Sequence, residues 1–230
     1  IIERFGDSED QSLAHQVTLA RLGRGAALGA LDPNAEAVDA YVEVIALFPQ
    51  DAPPVLLNLI ARAEAGRLLT LEHLEDRERA ESAYEQLLSR FADSEDPEVQ
   101  EQLARAMVRR AINVGQGGEH VEAFEMFRSI VEMFGDSPHV AVLEQAAIAA
   151  GNQASALSHL DRDEEMLAVY EAAVARFENR QEPEIRDQVA IALFGRAKTL
   201  ARLDRKREEI EAYGDVIDRI EGADRPIQRT

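Results

Sequence analysis

A strict repetition of period 43 constrains this chain more than any other feature. Arg4–Asp10 reads RFGDSED, and Arg90–Asp96, 86 residues later, reads RFADSED. Half of that step lands on Leu47-Phe48, and continuing it lands on Met133-Phe134, Arg176-Phe177 and Arg219-Ile220. Other columns keep step. An aromatic stands at Tyr41, Tyr84, Phe127, Tyr170 and Tyr213, and a small residue at Ala20, Ala63, Ala106, Ala149 and Ala192. Leu28, Leu71, Val114, Leu157 and Leu200 form a third column. Self-similarity at a fixed period of this size marks a repeat architecture, in which each unit is one supersecondary motif.

Within one period the pattern reads as two helices. Asp96-Pro97-Glu98 supplies an N-cap, a proline at the first helical position and an acid in the first turn. Pro54, Pro183 and Pro226 share the proline column. Val99, Leu103, Ala106 and Val114 follow at helical spacing, not at the alternation of a strand. Gly115-Gln116-Gly117-Gly118 is expected to form the turn, matched by Gly29 to Asn34. A second helix carries Ala123, Phe127, Ile130, Val131 and Phe134 and ends at Gly135-Asp136-Ser137. One such hairpin cannot bury its apolar stripe alone, so neighbours must stack.

The expected fold is therefore all-α: a single α-α superhelix over 1–230, built of five antiparallel helical hairpins. Their ranges are about 10–52, 53–95, 96–138, 139–181 and 182–224, with partial repeats at 1–9 and 225–230. Both chain ends fall inside a repeat. Ile1 and Ile2 align with Val44 and Ile45, and Pro226-Ile227 aligns with Pro183-Glu184. This register predicts a piece of a longer array, or its ordered part, whose open ends are expected to fray or to self-associate end to end.

Composition narrows the function classes. Asp and Glu number 44 against 25 Lys and Arg, a net charge of −19, and such a field repels phosphate backbones. No nucleic-acid partner is expected. Cysteine is absent, which removes disulfides, zinc–thiolate sites and thiol catalysis and suits a reducing, cytoplasmic setting. The least charged run, Val140 to Leu160, still contains Glu144, Gln145, Asn152, Gln153 and His159. It reads as one amphipathic helix and not a membrane span.

The chemistry-bearing residues form no catalytic or metal-binding pattern. The glycine run at 115–118 lacks the lysine and the spacing of a phosphate loop. The acidic clusters Asp7–Asp10 and Asp93–Asp96 lack the glycine and closing glutamate of a calcium loop and read as helix caps. The five histidines (His15, His73, His120, His139 and His159) show no metal-ligand spacing. No catalytic residue, metal or cofactor is assigned, and the chain is not expected to be an enzyme.

The second half of each period resembles the tetratricopeptide repeat (TPR): Ala111, Val114, Ala123 and Phe127 fit its spacing, as do Gly25, Leu28, Ala37 and Tyr41. The ordinary repeat has 34 residues. The nine extra lie at the start of each first helix, as in a longer variant found in bacterial arrays. The chain departs from the family pattern in two columns. Arg21, Glu64, Met107, Ala150 and Leu193 stand where a large aromatic is usual, and Arg24, Arg67, Arg110, Gln153 and Arg196 where an apolar residue is usual.

The resemblance implies a protein–protein interaction scaffold that binds a partner peptide or helix in a concave groove lined by the first helices. The alternative is a sensor or regulatory arm of a larger protein. The groove columns carried over from the family hold Leu19, Arg62, Arg105, Ile148 and Ile191; Leu22, Ala65, Val108, Gly151 and Phe194; and Gly23, Gly66, Arg109, Asn152 and Gly195. The family's carboxylate clamp is absent, since Leu22, Ala26 and Gly66 occupy most of its positions. The candidate peptide-binding residues are Arg62, Arg105, Arg109 and Asn152, and an acidic or C-terminal peptide is the expected ligand. The arginines can instead pair with neighbouring acids such as Glu64 or Glu101.

Overall fold

The structure, a computed structural model, describes residues 11–31, 34–48 and 54–223. Among them are ten helices and no strand: α1 (Gln11–Leu31), α2 (Ala35–Ala46), α3 (Pro54–His73), α4 (Arg77–Phe91), α5 (Pro97–Gln116), α6 (His120–Phe134), α7 (Val140–His159), α8 (Asp163–Phe177), α9 (Pro183–Arg202) and α10 (Lys206–Ala223). The first-helix starts at Pro54, Pro97, Val140 and Pro183 repeat the sequence period, as do the second-helix starts at Arg77, His120, Asp163 and Lys206. The partial repeats at 1–9 and 225–230, and the acidic cluster Asp7–Asp10, lie outside the described residues.

The chain divides into two compact units, Ile1–Arg109 and Arg110–Thr230, with the division inside α5. In the first, α1 packs on α2, α2 on α3 and α3 on α4, and α1 also touches α3. The second follows the same rule: α6 through α10 pack in chain order, and α7 also touches α9. In the first unit α2 packs against its own first helix and the next one, as α8 does in the second. This is the stacking that an amphipathic hairpin needs to bury its stripe.

The repeated columns supply the core. Val44, Leu87, Ile130 and Ala173 hold one buried column, and Phe91, Phe134 and Phe177 another. Alanines at 63, 106, 149 and 192 are buried as well. Ala20, in the same column, is exposed. The aromatic column is less uniform than its regularity suggests. Tyr41 and Phe127 are buried, whereas Tyr84, Tyr170 and Tyr213 are half-buried. On α10, Ile210, Ile217 and Ile220 remain exposed.

Helix ends follow local chemistry. The Asn34 side chain accepts from the Ala37 amide, Asp76 from Arg79, and Asp96 from Glu98 and Val99, each meeting an otherwise orphan N–H. The turn inside the hairpin is tighter than the glycine run suggests. Gly115 and Gln116 still belong to α5, and only Gly118 takes a left-handed conformation, at φ 90°. Glu75, Asp161 and Asp204 take the same conformation at φ 55°, 54° and 57°, and with Gly118 the four fall one period apart. The next amide returns to the helix: Asp76 to Leu71 O, Glu119 to Val114 O, Arg162 to Leu157 O and Arg205 to Leu200 O. Each is the long-range bond of a Schellman cap, for which glycine is the natural residue.

Both departures in the first helices have structural consequences. Arg24, Arg67 and Arg196 bridge to the second helix of their own hairpin, at Glu43 (3.7 Å), Gln86 (2.8 Å) and Asp215 (2.5 Å). Glu64 is buried between Arg67 and Arg90. Successive hairpins are also clasped by arginine. Arg90 donates to the Phe48 carbonyl, Arg176 to Asp136 at 2.7 Å, and Arg219 to the Glu178 carbonyl at 3.0 Å. All three reach the C-terminal end of the preceding second helix and the negative end of its dipole, and Arg90 and Arg219 also meet a backbone carbonyl there.

Candidate binding surface on the first helices

On α3 and α5 one column of the first helices stays open while its flanks close. Arg62 and Arg105 are exposed, yet Ala61 and Ala63 beside the first, and Ala104 and Ala106 beside the second, are buried. In the second unit Ile148 is half-buried between buried Ala147 and Ala149, and Ile191 is 56% exposed. The 3.6-residue period puts this column on one helix edge in each repeat.

Arg62, on α3, is exposed and bears electrostatically on Tyr41: burial pushes that phenol up, and the Arg62 charge pulls it partly back. Arg105, on α5, donates to Glu101 at 2.7 Å across one helical turn. Arg109, one turn further along α5, is exposed and makes no ion pair among the described residues. These three belong to the first unit and Asn152 to the second. Asn152 is half-buried on α7, and its amide donates to the Ile148 carbonyl at 2.9 Å, leaving one N–H and the carbonyl oxygen for other partners. Glu64 pairs with Arg67 and Arg90, not with a strip arginine.

Two glycines of the third carried-over column, Gly66 and Gly195, serve packing. A Cβ added at Gly66 would lie 2.6 Å from Tyr41 Cε1, and one at Gly195 would lie 2.5 Å from Tyr170 Cε1. The tyrosine of each preceding second helix thus lies on bare backbone of the next first helix. In α6 and α7 the pairing changes to Phe127 and Asn152, and both line a pocket of about 360 Å³. Gln116, His120, Ser155 and His159 share its lining. The rings of His120 and His159 stack at 4.3 Å, 6° from parallel.

That histidine pair has no motif spacing, yet it leaves a trace in the sequence. Contacts between hairpins join residues about one period apart: Arg176 with Asp136 (40), Arg202 with Asp163 (39) and Arg219 with Glu178 (41). His120 and His159 fit this rule.

A second polar cluster lies in the first unit. Arg67 Nη2 stands 2.8 Å from Glu64 Oε2 but is not aligned to hydrogen-bond it, and Arg90 is 3.8 Å from Oε1. Burial pushes the Glu64 carboxyl up, and the two arginines pull it partly back. No group of three or more metal-ligating side chains occurs among the described residues, and no described helix is long and apolar enough to cross a membrane.

The architecture defines the class: these are the stacked helical hairpins of TPR-like repeat proteins. Among solved structures, the fold is similar to the nearly identical TPR-like repeats assigned to a kinesin light chain of Podosopora anserina. That match has a TM-score of 0.55 and 14% identity and covers 90% of this chain and 96% of the other. A second structure of those repeats matches at TM-score 0.55 and 14% identity, covering 87% and 92%. BtubC (BKLC) from P. vanneervenii aligns at TM-score 0.47 and 12% identity over 93% and 95%. No family model and no curated protein matches the sequence.

Proposed function

We propose that the chain is a protein-binding scaffold whose first helices take a peptide or helix from a partner. The carrying observation is the open edge at Arg62 and Arg105, which stay at the surface while the residues flanking them are buried. A helical-hairpin array stacks its second helices against neighbouring first helices, which leaves an edge of the first helices free for a partner. In the first unit this edge carries Arg62, Arg105 and Arg109. Guanidinium groups can grip a carboxylate in a fork, so an acidic or C-terminal peptide suits them. In the second unit Asn152 offers an amide for an extended backbone. The reading assigns no reaction to the chain, and the absence of cysteine suits a reducing, cytoplasmic compartment.

The test is a double substitution, Arg105→Ala with Arg109→Ala, assayed against an acidic peptide identified by capture and mass spectrometry. Affinity should fall about tenfold or more, as expected for lost charge-assisted bonds, and should fall in the unsubstituted chain as salt rises. The melting temperature should hold, because both side chains are exposed. A lower melting temperature with unchanged peptide affinity would show that the arginines only pair with neighbours such as Glu101.

A further inference from the structure

The pocket between the end of α5, the start of α6 and α7 departs from the acidic character of the rest of the chain. The chain carries 44 acids, yet none lines this pocket, and His120 and His159 are its only titratable lining groups. Its other polar groups are the amides of Gln116 and Asn152 and the hydroxyl of Ser155, while Ile112, Ala123, Phe127 and Ala156 are apolar. Its volume of about 360 Å³ is that of a site for a small molecule or one side chain. The stacked imidazoles make no hydrogen bond to another described residue.

We propose that this pocket binds a small carboxylate with a short apolar body, gripped by His120 and His159 and seated on Ile112, Ala123 and Phe127. Ring geometry favours an anion over a metal ion. Ligation aims both lone pairs at one point, and near-parallel planes 4.3 Å apart cannot do this unless one ring turns. Parallel N–H groups can instead each reach one oxygen of a two-oxygen anion. Asn152 keeps one amide hydrogen for the same oxygens. An imidazolium donates a stronger, charge-assisted bond to a carboxylate than a neutral imidazole does. Binding therefore favours the protonated form. No acid or arginine in the lining offers another source of the pH dependence. The nearest basic neighbour in sequence, Arg162, is engaged by Glu165.

The inference does not rest on the partner-binding proposal, because it is read without a protein partner. Sodium benzoate is titrated into the 230-residue chain by calorimetry at about pH 6 and about pH 8, which bracket ordinary histidine titration. Benzoate should bind at the lower pH with proton uptake and weaken about tenfold or more at the higher. A His120→Gln, His159→Gln chain, shown by its melt to be folded, should lose about tenfold in affinity at the lower pH together with the pH dependence. Ile112→Trp, which fills the apolar end, should abolish binding with both histidines in place. The source of the carboxylate is read by competition. Displacement of benzoate by N-acetyl-alanyl-phenylalanine, but not by its amide, assigns the pocket to a chain terminus, and no displacement assigns it to a free acid. Equal binding of methyl benzoate, unchanged affinity in the glutamine chain, or no benzoate binding by the folded chain would each overturn the proposal. Uptake of zinc chloride through the two histidines without benzoate binding would also overturn it, in favour of a metal site.

Discussion

Gly23, Gly66 and Gly195 occupy one repeat position, and only the neighbour packed against them differs. Alanine substitution therefore gives an internally controlled test of the stacking. At an exposed helical site, alanine is favoured over glycine by about 0.8–1.0 kcal/mol. Gly23 is exposed, with nothing within 4 Å of an added Cβ, so Gly23→Ala should stabilise by about that amount. At Gly66 the new methyl would stand 2.5 Å from Tyr41 Cζ and 2.8 Å from its hydroxyl oxygen. At Gly195 it would stand 2.5 Å and 2.8 Å from two ring carbons of Tyr170. A ring wedged between helices cannot yield at one end only, and overpacking of this kind costs about 1–3 kcal/mol. Net of propensity, these two substitutions should destabilise by up to about 2 kcal/mol. The contrast with Gly23→Ala is then about 1–3 kcal/mol, a few degrees in the melt of a chain this long. Because repeats unfold as neighbouring units, amide exchange on α3 and α9 should localise the loss. Pairing Gly195→Ala with Tyr170→Leu should recover part of it. If Gly195→Ala proved as stabilising as Gly23→Ala, the tyrosine would not lie on the next first helix, and the stacking described above would be wrong.

Three other outcomes follow from the same packing. Phe134→Ala should cost about 3–5 kcal/mol, the usual range for an emptied aromatic site, read by urea unfolding. Glu75→Gly should stabilise by about 1 kcal/mol in thermal melts, because glycine takes φ 55° without the Cβ penalty. Glu64 has a folded-state pKa raised by burial, so its charged form works against folding. That penalty is absent below the ordinary value near 4.5 and complete above the raised one. Glu64→Gln should therefore match the parent chain in acid and equal or exceed its stability at neutral pH, since Arg67 keeps Gln86 and Arg90 keeps the Phe48 carbonyl. A variant less stable at neutral pH than in acid, relative to the parent, would show that the arginine attraction outweighs desolvation.

The architecture was legible in the sequence because it follows from spacing alone. A hydrophobic period of 3.6 within a repeat of 43 leaves a helical hairpin as the only motif that fits, and hairpins with one apolar stripe must stack. Pro54, Asp96-Pro97 and Pro183 placed the first-helix starts for the same local reason, since capping chemistry acts over three or four residues. The candidate arginines were legible as positions on a helix edge, and so was Glu101 as a partner, whereas the lack of an ion pair at Arg109 was not. Arg105 reaches Glu101 within its own helix, while Arg109, one turn on, has no ion-pair partner among the described residues. What only the tertiary structure decided lies where one hairpin meets the next. The Gly66 and Gly195 backbones became seats for Tyr41 and Tyr170, and the His120 ring came to lie on that of His159. These pairings depend on how far each hairpin is rotated against its neighbour. That rotation is set by the volumes of all the side chains packed between them, which no single column of the repeat records.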